Sequence, residues 1–508
     1  MECRTFVSCV LAVFLLAGCS VKRVSRALVP PDQVSSLNRK SPFLKAHMRD
    51  GRVLVLSQWR ADSAAHTVSG RGEALDVNRG VVARGDFTVP LDSVALFETN
   101  VIQTSGSVTA LTVMTAASLV LTVVCISNPK ACFGSCPTFY VSDASGLQLQ
   151  AEGFSSSILP SLEATDVDAL YRVQAKGGHL EVHMKNEALE THVVRHVDLL
   201  AVPRAPGERV FSTSAGEFQR GRLLAPPSRC DGPEGDCRGA VLAFDGNERT
   251  SPADSTDLAA REQIELEFAH APEGPLGLVL ARRQTLLSTY LFYQALAYMG
   301  RSAGHWLATL ERGDGDRAKR AGAIGRALGG IEVFVRRADG EWLRAGEDSE
   351  TGPLAPDVRM VPLPKTAEKP LRVRLRMTRG LWRLDWVALA ALAGGEQPIR
   401  LRPAAVERTG PNRTETVVPG GTLTTAPGDE YVFHFRLPET GGPYELFLES
   451  RGYYLEWMRS AWLAEEDAGR AALMLAQPAL ALRLLAPEFK AQEPGMERAF
   501  WGSRYAHP

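Results

Sequence analysis

The chain has 508 residues, 45% of them hydrophobic and 23% charged, proportions that suit about three globular domains and exclude disorder as its main content. A formal net charge of -1, with Lys and Arg scattered rather than striped, argues against nucleic acid as a partner.

At the N-terminus Arg4 precedes an apolar run from Phe6 to Leu16, which has the length of a signal-peptide core and is too short to span a bilayer. It ends in Leu16-Ala17-Gly18-Cys19. That order of residues resembles the lipobox of bacterial lipoproteins. The resemblance implies removal of residues 1–18 as a signal peptide and acylation of Cys19 by palmitate-type chains. Because Ser20 rather than Asp follows, it also implies a cell-envelope location at the outer membrane, facing the periplasm or the surface. Each buried CH2 stabilises attachment by about 0.8 kcal/mol, so two or three chains hold where one does not. Residues 19–45, polar and carrying Pro30-Pro31, read as a lipidated tether, and residues 46–100 alternate apolar and polar positions as a small β domain.

Residues 101–129 carry no charge, and Ser107 to Ile126 are long enough for a transmembrane helix across roughly 30 Å of hydrocarbon. Their Thr and Val content suits a buried hairpin or core helix equally.

Residues 130–275 are expected to form a β-rich domain. Leu180, Val182 and Met184 alternate with His179, Glu181 and His183, and a return strand from Thr191 to Leu200 around a turn near Glu187 and Ala188 would set Val182 opposite Val193. Further strands are expected at Arg209–Phe211, Ala240–Phe244 and Gln263–Phe268. Residues 276–330 read as a helical insert: the strand Gly277–Arg283 leads into a helical pattern from Leu286 to Gly300, and Arg317–Leu328 is a second helix candidate. Residues 331–508 return to strands. Leu371, Val373, Leu375 and Met377 lie on one face against Arg372, Arg374 and Arg376, the mark of a half-exposed antiparallel sheet, before a terminal helical stretch Ala461–Leu485. The fold class expected is α+β, predominantly antiparallel β in sandwich-like domains, with a few helices and one hydrophobic segment of transmembrane length. Segments such as NPKACFGSCPTFYV and WRLDWVALA resemble those of bacterial envelope proteins.

Two cysteine pairs, Cys132 with Cys136 and Cys230 with Cys237, have spacings suited to disulfide-closed loops in an oxidising compartment; free thiols or a zinc site remain open. In the hairpin register His183 faces His192 and His179 faces His196, which makes His183 and His192 a candidate metal pair on a polar face. Glu163, Asp166 and Asp168 form an acidic cluster whose carboxylates could ligate calcium or serve as acid and base, but which lacks the glycine and further ligands of a calcium loop and is read as a loop or helix start. Ser255, Thr256 or Asp257 is read as the cap of a short helix. Tyr453, Tyr454, Trp457 and Trp462 would either stack on sugar rings or close a core. No G-x-S-x-G, H-E-x-x-H or phosphate-loop motif occurs, and no cofactor is expected. The reading is a lipid-anchored envelope protein that binds or scaffolds, with the membrane and an envelope protein or glycan as partners. A carbohydrate- or peptidoglycan-binding module and a metal-dependent hydrolase are the alternatives.

Overall fold

The computed structural model describes residues 21–48, 52–75, 81–105, 136–175, 178–188, 190–303, 306–307, 322–349, 352–366, 368–410, 413–417, 419–426, 428–439, 442–457, 462 and 465–504. The chain falls into two units, Met1–Asn128 and Pro129–Pro508, and each is mostly antiparallel β with few helices.

The described residues of the first unit form one six-stranded sheet. Its strands lie in the spatial order Val21–Val29, Val94–Ser105, Phe43–Met48, Val53–Asp62, Thr67–Leu75 and Val81–Pro90. Period-2 alternation puts Leu44, Ala46 and Met48 on one face with Leu54, Leu56, Val68 and Phe97, and these bury together. On the other face Glu98 accepts from Lys45 Nζ at 3.0 Å and lies 3.1 Å from His47 Nε2. Two expectations are corrected here. Residues 21–29 are an edge strand paired along their length with the strand ending at Ser105, not a tether, and the sheet extends beyond residues 46–100 at both ends. Strand pairing is made by backbone groups, so a Lys- and Arg-bearing segment pairs as well as an apolar one.

The described residues of the second unit form four sheets. An outer sheet (strands Arg413–Val417, Ala405–Gly410, Glu430–Arg436, His179–Lys185, Thr138–Asp143 and Gly146–Glu152) covers one face of a middle sheet built on Glu190–Pro203 and Tyr444–Glu456, with Ala164–Ala169 at its edge. Their shared core joins Phe139, Val182, Phe433 and Phe435 to Val197, Leu199, Leu446 and Leu448. A third sheet covers the opposite face: Leu200, Val202 and Phe447 pack against Val279, Ala281, Met360, Ala388 and Ala390. A fourth sheet pairs Arg261–Phe268 with Leu371–Thr378 and then Ile331–Arg336. Its Gly346 lies so near the third sheet that a Cβ there would sit 2.9 Å from Val361 Cγ1. The middle sheet is therefore covered on both faces, with Val197 and Leu199 packed into one cover and Leu200 and Val202 into the other.

The boundaries expected at 275 and 331 do not separate domains, because the outer, middle and fourth sheets each pair a strand from before residue 275 with one from after residue 370. Leu276–Gln284, expected to open a helical insert, is a central strand of the third sheet. The helix Leu287–Met299 follows the expected pattern, and of the second candidate only Ala323–Leu328 is a described helix. Residues 240–244 are not a strand: a 3-10 turn, Arg238–Val241, stands there, with one isolated bridge from Leu242 to Trp386. The terminal stretch is two helices, Ala468–Ala476, capped by Asp467 accepting from Arg470 N, and Pro478–Arg504. Tyr290 of the earlier helix packs tilted against Phe489, ring centroids 5.0 Å apart, which ties that helix to the last one. Ser107 to Ile126 lie outside the described residues; among those that are described, no helix is long and apolar enough to cross a membrane.

Phe447 is fully buried between the middle and third sheets, edge-on to Phe218 at 4.8 Å. Phe447→Ala is expected to lower unfolding stability by about 3–5 kcal/mol in denaturant melts of the whole chain; a loss under about 1 kcal/mol would show that the two sheets are not packed through this ring.

Candidate functional site

Two polar groupings sit on the middle sheet, where burial makes every unpaired polar atom expensive. The first is set by a β-bulge. Val194 lies opposite Gly452 and His196 opposite Arg451, so Arg195 is the extra residue and reverses the alternation of the strand. Val194 and Val197 both point into the core shared with the outer sheet. His196 turns to the other face, beside Asp198 and the opposing Glu449. Gly452 makes the bulge possible: a Cβ there would sit 2.3 Å from Val193 O. On this face His196 Nε2 is 3.0 Å from Glu449 Oε1. Arg400 donates through Nη1 to Asp198 Oδ2 at 3.2 Å and through Nη2 to Glu449 Oε2 at 2.7 Å. Beside them Glu163 bridges Arg195 and Arg451, each at 2.9 Å.

The second grouping runs along the edge strand Ala164–Ala169. An edge strand presents backbone groups with no ladder partner, and the third sheet supplies ions to meet them. Asp357 Oδ1 accepts from Ala169 N at 2.9 Å, while Arg359 Nη2 donates to Val167 O at 3.3 Å. Arg282, with no exposed surface, donates to Asp348 Oδ1 at 2.7 Å and to Asp357 Oδ2 at 3.0 Å. Arg283 forks onto Glu248 and donates to Pro353 O at 2.7 Å. Burial alone would raise the Asp357 carboxyl, but the guanidiniums of Arg359 and Arg282 hold it below the usual carboxylate range. Asp168 goes the other way. Burial, then the charges of Asp166 and Asp357, push it well above that range, and its Oδ2 has no hydrogen-bond partner among the described residues, as suits a neutral carboxyl.

Glu152 extends this belt. It accepts from Leu354 N at 2.8 Å, Ala355 N at 3.3 Å and the Cys136 thiol at 3.0 Å. Burial raises its pKa to about 7 against those hydrogen bonds. Burial and the Glu152 charge in turn push the Cys136 thiol up, so it is an inert thiol rather than a nucleophile.

The expected site residues are mostly kept apart. Cys230 and Cys237 form a disulfide, as their spacing suggested. Cys136 is a buried free thiol rather than half of a pair with Cys132, and Cys132, like Cys19, lies outside the described residues. The proposed hairpin does not form: the His179–Lys185 strand pairs with Glu430–Arg436 in the outer sheet, and Glu190–Pro203 pairs with Tyr444–Glu456 in the middle sheet. His183 and His192 therefore cannot share a metal ion. His183 Nδ1 is 3.0 Å from Glu430 Oε1, whereas His192 is fully buried, lies 2.6 Å from Glu190 Oε1, and is driven by burial to a pKa of about 3. Its contact with Glu190 is thus a hydrogen bond from a neutral imidazole. Asp166 and Asp168 are in a strand rather than a loop. Asp254, not its successors, accepts from Thr256 N and Asp257 N, and a turn replaces the expected short helix. Tyr453 and Tyr454 are 2% exposed and close cores instead of offering a sugar platform. Sequence reasoning missed Glu449 and Arg400, which only long-range pairing brings in. The legible signal was His196-x-Asp198, two strand residues that share a face.

No family model matches the chain, and no curated protein does. Among solved structures the chain is similar, at 9% identity and a TM-score of 0.14, to the crystal structure of the GH31 alpha-xylosidase from Xanthomonas citri. The alignment covers 89% of this chain and 39% of that one, so the chain spans well under half of that enzyme's length, and a likeness this slight carries no argument.

Two outcomes test the belt. Arg282→Met strands Asp348 in the interior and leaves Asp357 with Arg359 alone, and is expected to lower stability by about 3–5 kcal/mol in denaturant melts; wild-type stability would mean that water reaches Asp348. For Glu152, the folded chain keeps a proton that the unfolded chain releases above the ordinary glutamate value of 4.5. Its contribution is fully present below that value and is lost as pH rises through about 7. The stability difference between wild type and Glu152→Gln is therefore expected to move by about 3 kcal/mol against the wild type from acid to mildly alkaline pH. Parallel pH profiles for the two proteins would contradict it.

Proposed function

We propose that the chain is a lipid-anchored cell-envelope protein whose β-sheets serve as a rigid binding or scaffolding platform at the outer membrane. The observation that carries this reading is a register. Val21, two residues after Cys19, pairs with Ser105, two residues before Ser107. The two most apolar stretches of the chain, the one ending in the lipobox and the one from Ser107 to Ile126, therefore join the first sheet at the same end of two adjacent strands. Acyl chains on Cys19 and the uncharged run 107–126 can reach one membrane together, with no linker between the anchor and the folded sheet.

Two further features support the reading. The Cys230–Cys237 disulfide suits an oxidising compartment outside the cytoplasm. The fourth sheet bears a broad ionic face, where Arg374 pairs with Glu265 and lies 4.0 Å over the Trp342 ring, while Arg376 forks onto Glu332. Such a face suits a charged protein or glycan partner at an interface rim.

Metabolic labelling with palmitate tests the anchor. The wild-type chain is expected to take up label and to pellet with membranes, and Cys19→Ser to lose the label entirely. Label retained by Cys19→Ser, or none in the wild type, would remove the lipoprotein reading.

A further inference from the structure

We propose that His196, Asp198 and Glu449 bind one divalent transition-metal ion of the zinc class, which displaces the Arg400 guanidinium. One ligand atom from each of the three residues lies within 4.8 Å of the others. His196 and Asp198 are two apart on one strand, and Glu449 stands directly opposite Asp198 on the next, so all three side chains leave the same face of the sheet. The histidine reaches that face only because of the bulge at Arg195; with regular alternation it would point into the apolar core. Bulges recur where a side chain has to be re-aimed for a task.

The donor set decides the ion. One imidazole and two carboxylates make a mixed nitrogen and oxygen site, which suits zinc and its neighbours, whereas calcium and magnesium favour oxygen alone. A tetrahedral ion with bonds of about 2.0–2.2 Å needs ligand atoms roughly 3.4 Å apart. His196 Nε2 and Glu449 Oε1 are at 3.0 Å already, and from within 4.8 Å Asp198 has to close by at most roughly 1.4 Å to complete three ligands.

Charge and exposure give the site a floor and a mouth. The Asp198 and Glu449 side chains are each 8% exposed, while His196 is 32% and Arg400 49% exposed. Two nearly buried carboxylates face one arginine that stands at the solvent side. A half-exposed ion pair is weak beside a three-ligand metal site, so Arg400 is a cation the metal can replace. With Arg400 swung out, a fourth coordination position opens toward water, as in sites that keep three protein ligands and a solvent molecule.

The test uses the full-length protein purified in detergent, stripped by a chelator and titrated with zinc chloride by calorimetry, with the metal content of the product measured. One zinc per chain is expected. His196→Ala and Asp198→Asn are each expected to weaken binding by about 10–100-fold or more. Arg400→Gln removes the competing cation and is expected to tighten it, a gain that a merely destabilised variant would not show. Substoichiometric zinc in the wild type, or wild-type affinity in both His196→Ala and Arg400→Gln, would overturn the proposal.

Discussion

The middle sheet of Pro129–Pro508 is covered on both faces, and most of what distinguishes this fold follows from that one constraint. Water cannot meet the polar groups of a doubly covered sheet, so its long strands Glu190–Pro203 and Tyr444–Glu456 carry Val and Leu on both faces. Each polar side chain that remains has to be paired, neutral or placed where the cover ends. Burial drives His192 down to a pKa of about 3 and pushes the Asp168 carboxyl well above the usual range, both away from charge, and Asp198 and Glu449 lie at a margin where Arg400 reaches them. Burial and charge are thus two sides of one arrangement.

The same constraint explains the arginines of the third sheet. Its cover stops at the edge strand Ala164–Ala169, whose backbone groups would otherwise be left without partners. Asp357 and Arg359 satisfy them from the neighbouring sheet, and Arg282 balances the acids that this requires. Removing one partner from a buried ion cluster is strongly destabilising, so a slip of this edge against the third sheet, which would leave charges unpaired, is costly. What it supplies to the fold is register.

Much of the local structure is legible in the sequence and little of the long-range pairing is. The helix Leu287–Met299, the alternation at Leu371–Met377 and the closed loop Cys230–Cys237 come from spacing alone, since each is decided by neighbours in the chain. The strand His179–Lys185 and the strand after it look like a hairpin because a few residues separate them, yet they enter different sheets and find partners some 250 residues away. Nothing in a local window marks that choice. The bulge at Arg195 hides the site from a period-2 reading in the same way: one extra residue moves His196 off the face that holds His192. Val21–Val29 was masked by its charged side chains, and Arg282 and Arg283 give no sign in GLVLARR that both are buried.

The proposed placement of the second unit outside the cytoplasm would tie the proposed anchor, the disulfide and the proposed platform role together. It is most directly tested by protease accessibility of a C-terminal tag in intact cells, in cells with a permeabilised outer membrane and in lysed spheroplasts. Cleavage before the inner membrane is opened is the predicted result. Protection until spheroplast lysis would place Pro129–Pro508 in the cytoplasm and contradict the envelope role.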